Sequence, residues 1–180
     1  MKNQELELTI EKIVPNGFGL AFADGLTIFV SLAAAGDKLR VKIREKKGKV
    51  AFAEIVDILE PSPDRITPRC RHFGRCGGCD FQQLNYQAQL DAKVAIIRDC
   101  LRRIGKIDFP AEIPIIAGQN DFEYRSRAQW HVDTRNKRIG YFKRHSHQVI
   151  DAEECPILIK PLQDKLAGLR ENLPWDEFWA

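Results

Sequence analysis

The sequence predicts a β-rich α+β fold: a small barrel of short strands, then an α+β domain. Three observations carry that prediction. Apolar and polar residues alternate with period two through much of residues 5–58, and a helical period of three and four appears only after residue 85. Between them, three of the five cysteines fall within residues 70–79, the spacing of a site that closes around something compact.

The strands come first. Leu6, Leu8 and Ile10 alternate with Glu5, Glu7 and Thr9, the pattern of a half-buried strand. Asn16-Gly17-Phe18-Gly19 is turn chemistry leading to Leu20 and Phe22. Leu26, Ile28 and Val30 alternate again, and Gly36-Asp37 makes another turn. Leu39, Val41 and Ile43 alternate with Lys38, Arg40, Lys42 and Arg44. A basic hairpin tip follows at Lys46-Lys47-Gly48-Lys49, and a strand from Val50 to Ile58 returns. About five strands with no helical signal predict a closed barrel of the oligonucleotide-binding (OB) type over residues 1–60. Glu60-Pro61-Ser62-Pro63 breaks the pattern and marks the boundary to a second domain at 61–180.

From Asn85 the period becomes helical. Tyr86, Leu90, Val94, Ile97, Leu101 and Ile104 form one apolar stripe, with Asn85 placed to cap the start and Gly105 the end. A second β region covers roughly 113–151. Along 124–132, one parity (Tyr124, Ser126, Ala128, Trp130, Val132) is set to pack. The other presents Arg125, Arg127, Gln129 and His131. A turn at 133–137 leads to a returning strand at 138–143, and a short helix starts near Pro161 with Leu162, Leu166 and Leu169 on one side.

Composition narrows the function. The chain has 180 residues, 28 Lys+Arg against 25 Asp+Glu, and a formal net charge of +3. Residues 61–150 carry +7 of this and residues 151–180 carry −4, so an anionic partner such as nucleic acid is drawn to the middle of the chain. No run approaches 18 apolar residues, which argues against a membrane span. The first residues lack the apolar run of a signal peptide, so the expected location is the cytoplasm. Thiols there stay reduced, and metal binding or chemistry is a better expectation than disulfides.

The strongest local signal is Cys70-Arg-His-Phe-Gly-Arg-Cys76-Gly-Gly-Cys79, with Cys155 far downstream. Three thiolates on a tight loop plus a remote one can surround a compact tetrahedral object. Gly74, Gly77 and Gly78 let the backbone curl, and Arg69, Arg71 and Arg75 offset negative charge. The spacing resembles that of iron–sulfur proteins. Zinc competes, although Cys₄ zinc sites normally use two Cys-x₂-Cys knuckles and only one is present. Cys100 borders the helical stripe and reads as a buried structural thiol, not a nucleophile.

Taken in order, the barrel, Cys-x₅-Cys-Gly-Gly-Cys, the helix, Tyr124-Arg125-Ser126-Arg127, Gly140-Tyr141-Phe142 and Cys155-Pro156-Ile157 resemble the RNA (uracil-5-)-methyltransferase family, in its 23S ribosomal RNA branch. The resemblance implies that the barrel is a TRAM domain and that Cys70, Cys76, Cys79 and Cys155 hold a 4Fe-4S cluster. It also implies that residues 113–151 belong to a central, RNA-contacting domain. Family members add a doubly wound domain that binds S-adenosylmethionine, where a cysteine attacks carbon 6 of uracil and the methyl group goes to carbon 5. No strand here leads into a glycine-rich turn and helix of that kind. The expectation is therefore a protein lacking the C-terminal methyltransferase domain, inactive alone, with that domain missing or supplied by a separate chain.

The function expected from the residues is RNA binding, to ribosomal RNA by the resemblance. Arg125, Arg127, Gln129, His131, Lys46 and Lys47 would contact the strand, and Tyr141 and Phe142, with Phe18 and Phe22, would stack on unpaired bases. For Phe22 a core position is the stronger expectation. The competing readings are a stand-alone iron–sulfur redox protein and a zinc-stabilised RNA-binding module.

Overall fold

The computed structural model describes residues 4–175. They form two compact units, one made of Met1–Thr67 and Asp80–Ala117, the other of Pro68–Cys79 and Gly118–Ala180. The chain is thus cut differently from the expected 1–60 and 61–180. The segment after the barrel is clamped onto it: the Asp37 carboxylate, fully buried, accepts hydrogen bonds from the backbone N–H of Ala34 at 2.6 Å and Ser62 at 2.9 Å, and pairs with Arg65 at 2.6 Å. Arg65 also donates to the Leu32 carbonyl at 2.9 Å. A buried carboxylate is tolerated because every one of these donors meets it.

In the first unit six strands run in the order β1-β5-β6-β4-β3-β2. They are β1 (Glu5–Thr9), β2 (Lys12–Val14), β3 (Phe18–Ala23), β4 (Leu26–Val30), β5 (Lys38–Lys47) and β6 (Val50–Glu60). All neighbours pair antiparallel except β4 and β6, which are parallel. The two edge strands β1 and β2 are joined by Ile10-Glu11 alone, so the sheet must curl until its edges approach. The inward parity of every strand but β2 supplies the core, including Leu8, Ile28, Val30, Leu39, Val41, Ile43, Ala51 and Ala53. The alternation predicted those strands; β2 was not predicted.

Helix α1 (Tyr86–Arg103) belongs to this unit. Asn85 caps it as expected, its side chain accepting from the Ala88 N–H at 2.9 Å. The predicted stripe is buried only in part: Leu90 is the buried residue of the helix, and Tyr86, Val94 and Leu101 are half-buried. Ala88, Ala92 and Ile96 pack with Leu84 against Ile13 and Ala34, while Ile97 and Ile104 are exposed. The left-handed residue past the helix end is Lys106 (φ 55°), one position beyond Gly105.

The second unit holds a small antiparallel sheet, β7 (His131–Asp133), β8 (Arg138–Phe142) and β9 (Val149–Asp151), with α2 (Lys160–Asn172). Leu166 of α2 is buried against Ile139 and Ala152, with Leu169 and Trp175 packed alongside. Trp175 thereby caps the local core; Phe178 and Trp179 lie outside the described residues. The expected strand from Tyr124 is absent until His131. Residues 124–130 instead run as irregular chain with a single parallel bridge, Arg125 to Leu158. Among the described residues no helix is long and apolar enough to cross a membrane.

Candidate functional site

The cysteine motif is a loop zipped onto the end of β8. Gly77 N–H donates to the Phe142 carbonyl at 3.0 Å and Arg144 N–H to the Arg75 carbonyl at 2.8 Å, so Cys76 bridges Lys143. Gly74 takes φ 81°, a left-handed turn that the absence of a Cβ permits. Cys155 arrives from the far side of the unit. It starts the turn into α2, where the Leu158 N–H returns to its carbonyl at 3.0 Å. It is buried with Ile157 and Leu158, and Cys79, Trp130 and Tyr141 pack against that group.

Electrostatics show that the thiols are neighbours. Burial pushes the Cys76 thiol up, and negative charge on Cys155 or Cys70 pushes it further, while the Gly78 N–H at 3.4 Å from Sγ pulls it down. Burial likewise raises Cys155; the Tyr141 hydroxyl and the Ile157 N–H, which donate to its sulfur, and the nearby Arg125 charge act the other way. Tyr141 in turn accepts from Trp130 Nε1 at 3.2 Å. Desolvation, then the thiol beside it, raises the Tyr141 hydroxyl far above its ordinary range. The result is a relay, Trp130 to Tyr141 to Cys155, of the kind that orients a thiolate ligand.

A second sign of a missing partner lies in the loop between Cys70 and Cys76. His72 Nε2 is buried with no hydrogen-bond partner, and burial, helped by Arg71 and Arg75, lowers its pKa. A buried ring nitrogen without an acceptor is uncommon. Among the described residues, no three of His, Cys, Asp or Glu converge closely enough to grip a single metal ion. A cluster held by Cys70, Cys76, Cys79 and Cys155 would draw on Cys79 and Cys155, which pack together, and on Cys76, whose thiol senses Cys70 and Cys155.

The expected RNA face is only partly assembled. Arg127 and Gln129 are exposed, as are Lys46 and Lys47 on the β5–β6 tip. Arg125 is half-buried and its charge acts on Cys155 and Tyr141, so it belongs to the cysteine site. Tyr141 is half-buried and its hydroxyl is engaged by Trp130 and Cys155. His131 lies flat on Phe142, ring centroids 3.7 Å apart and planes 15° from parallel, and His147 meets Phe142 edge-on at 5.3 Å. The local alternation did not reveal this because 124–130 is not a strand. In the first unit, Phe22 is 57% exposed, against the expected core position, and Cys100 is half-buried and lines an open cleft.

Comparison with known proteins agrees with the sequence reading in outline. Residues 1–56 match the model of the TRAM domain. An uncharacterized RNA methyltransferase of Halalkalibacterium halodurans is 37% identical over 158 residues, covering 87% of this chain and 34% of that protein. The 23S rRNA (uracil(1939)-C(5))-methyltransferase RlmD of Halomonas elongata is 34% identical over 170 residues, covering 93% and 35%. The crystal structure of Pyrococcus abyssi tRNA (uracil-54, C5)-methyltransferase in complex with S-adenosyl-L-homocysteine superposes with a TM-score of 0.61 at 25% identity, over 92% of this chain and 36% of that one. The chain spans about a third of the length of the relatives it matches. The expectation of a missing methyltransferase domain, or of one on a separate chain, is not borne out by these likenesses, which measure only the part compared. Residues 1–56 are similar to the TRAM domain, and the chain is similar over about nine-tenths of its length to RNA methyltransferases that act at carbon 5 of uracil.

Proposed function

We propose that this chain forms the RNA-holding part of a cytoplasmic, S-adenosylmethionine-dependent RNA (uracil-C5)-methyltransferase acting on 23S ribosomal RNA, and that Cys70, Cys76, Cys79 and Cys155 hold a 4Fe-4S cluster within it. The observation that carries the reading is the likeness along 93% of the chain to a ribosomal-RNA enzyme, supported by the packing of Cys79 on Cys155 and the exposure of Arg127 and Gln129. When bound, the cluster supplies a cross-link between the 70–79 loop and residue 155, removing the entropy of a long open loop. The chain's own residues do the rest. Gly78 and Tyr141 donate to the sulfurs, Arg125 offsets their charge, and Lys46, Lys47 and Arg127 meet phosphates.

The test is anaerobic purification followed by iron and sulfide analysis and visible absorption, together with binding of a uridine-containing RNA at rising salt. Four irons and four sulfides per chain and an affinity that falls steeply with salt are expected. Stoichiometric zinc, or binding indifferent to salt, refutes the corresponding half. Methyl incorporation from labelled S-adenosylmethionine into that RNA by the whole protein tests the activity.

A further inference from the structure

We infer that the barrel unit carries a nucleobase pocket, in which a cleft walled by outward phenylalanines of the sheet and by the last turns of α1 receives one unpaired base of an RNA strand running over the Lys46–Lys49 tip. The inference deepens the RNA-holding reading and rests on it. The cleft measures about 550 Å³, within the range of about 300–1,000 Å³ usual for small-molecule sites.

Its floor is aromatic. Alternation turns Ala51 and Ala53 inward and Phe52 outward, and turns Ile28 and Val30 inward and Phe29 outward. Register then sets Phe29 directly beside Phe52, stacked with centroids 5.4 Å apart, and Phe18 meets both rings edge-on at 6.3 and 5.9 Å. Phe22 stands at the same cleft with more than half its surface in water. Phenylalanine rings exposed together on a barrel offer stacking faces to any base, whatever its hydrogen-bonding edge.

The walls are mostly apolar, and cationic groups stand at the edges of the cleft, as a base flanked by phosphates requires. Asp99 of α1 faces the cleft, but its carboxylate is neutralised by Lys12 at 3.1 Å, Arg102 at 3.1 Å and Arg103 at 3.5 Å. That pairing holds the Arg103 guanidinium at the cleft, where it can donate to a base carbonyl. At the other end Thr27 donates its N–H to the Lys49 carbonyl at 2.8 Å, tying the cleft to the hairpin tip that exposes Lys46, Lys47 and Lys49. Stacking rings between two cationic lips match a base flanked by its phosphates.

The experiment uses the full chain and a dye-labelled ten-residue oligouridylate, followed by fluorescence anisotropy across a salt series. Phe22→Ala and Phe52→Ala are each expected to weaken binding about tenfold with the salt slope unchanged. The double variant Lys46→Ala/Lys47→Ala is expected to flatten the slope instead. A second measurement needs no variant: an abasic oligonucleotide of equal length should bind the wild-type chain at least tenfold more weakly than oligouridylate. Salt-sensitive binding that is indifferent to both phenylalanine changes and to the loss of bases overturns the pocket and leaves the RNA-holding reading standing. A wild-type chain that shows no salt-sensitive binding overturns that reading itself.

Discussion

The two units hold themselves together by different means. In the barrel unit, twelve buried apolar residues among those described form one continuous cluster, drawn from every strand but β2, from Ile10 and from the loop after β4, and a smaller cluster holds Ile13, Ala34 and Leu84. In the second unit the buried apolar residues among those described form two clusters of three, with Val149 and Ile150 buried outside them, and the sheet has strands of three, five and three residues. Three short strands and a helix are near the lower limit of independent stability. The difference teaches where a tether would matter: the barrel closes on one large core, whereas the proposed cluster would tether a unit whose buried clusters are small.

The largest effect should come from cutting that tether. Cys155→Ser is expected to lose the iron and to cost the second unit more than about 5 kcal/mol, because the free energy of binding a structural metal group is folding free energy. Trp130 and Trp175 both lie in the second unit and the barrel unit has no tryptophan, so fluorescence-monitored urea unfolding reads the second unit alone. Hydrogen exchange of β3 to β6 should stay as in the wild type. Equal loss of protection in both units would break the comparison.

The matching cut in the barrel is Asp37→Ala, which strands Arg65, only 14% exposed, without its carboxylate. Removing one partner of such a pair costs about 3–5 kcal/mol. Here the barrel's hydrogen exchange should accelerate while tryptophan fluorescence keeps its midpoint, the reverse of the cysteine variant. A smaller effect tests packing in the second sheet. A Cβ on Gly140 would stand 2.2 Å from the Ile150 carbonyl oxygen and 2.8 Å from the Ala152 Cβ, so β8 must shift from β9. Gly140→Ala should cost about 1–3 kcal/mol in the fluorescence-read transition; no change would mean that the sheet does not define that unit.

How much of this was legible follows the same divide. The barrel was readable because each strand buries one parity, and a period of two survives in the string of residues. Strand β2 was missed because three residues, Lys12–Val14, are too few to display a period. The face of α1 was read only in part, for a physical reason. Hydropathy weights Ile97 and Ile104, but the helix approaches the barrel through Ala88 and Ala92, whose small side chains allow close contact. In the second unit, cysteine spacing pointed to a shared centre, yet nothing local showed that Arg125 would bridge to Leu158 or that Tyr141 would turn its hydroxyl to Cys155. Those contacts join segments fourteen to thirty-three residues apart, beyond the reach of any periodicity.

The smallest effect separates the units by pH. Asp151 of β9 receives hydrogen bonds from the Arg170 guanidinium, one of them at 2.8 Å, and from the Ile139 N–H at 3.2 Å, which together hold its carboxyl below the usual range. A carboxyl depressed in the folded state stabilises fully above its unfolded pKa of about 4 and loses that contribution as pH falls through the folded value. Because both partners are partly solvated, the loss should stay below about 1 kcal/mol. It should appear in the fluorescence transition between pH 5 and pH 3 (range approximate, about one unit either side of the unfolded value) and vanish in Asp151→Asn. The cysteine tether has no part in that difference, so an acid sensitivity that survives Asp151→Asn would place the weak point of the second unit elsewhere than the β9–α2 contact.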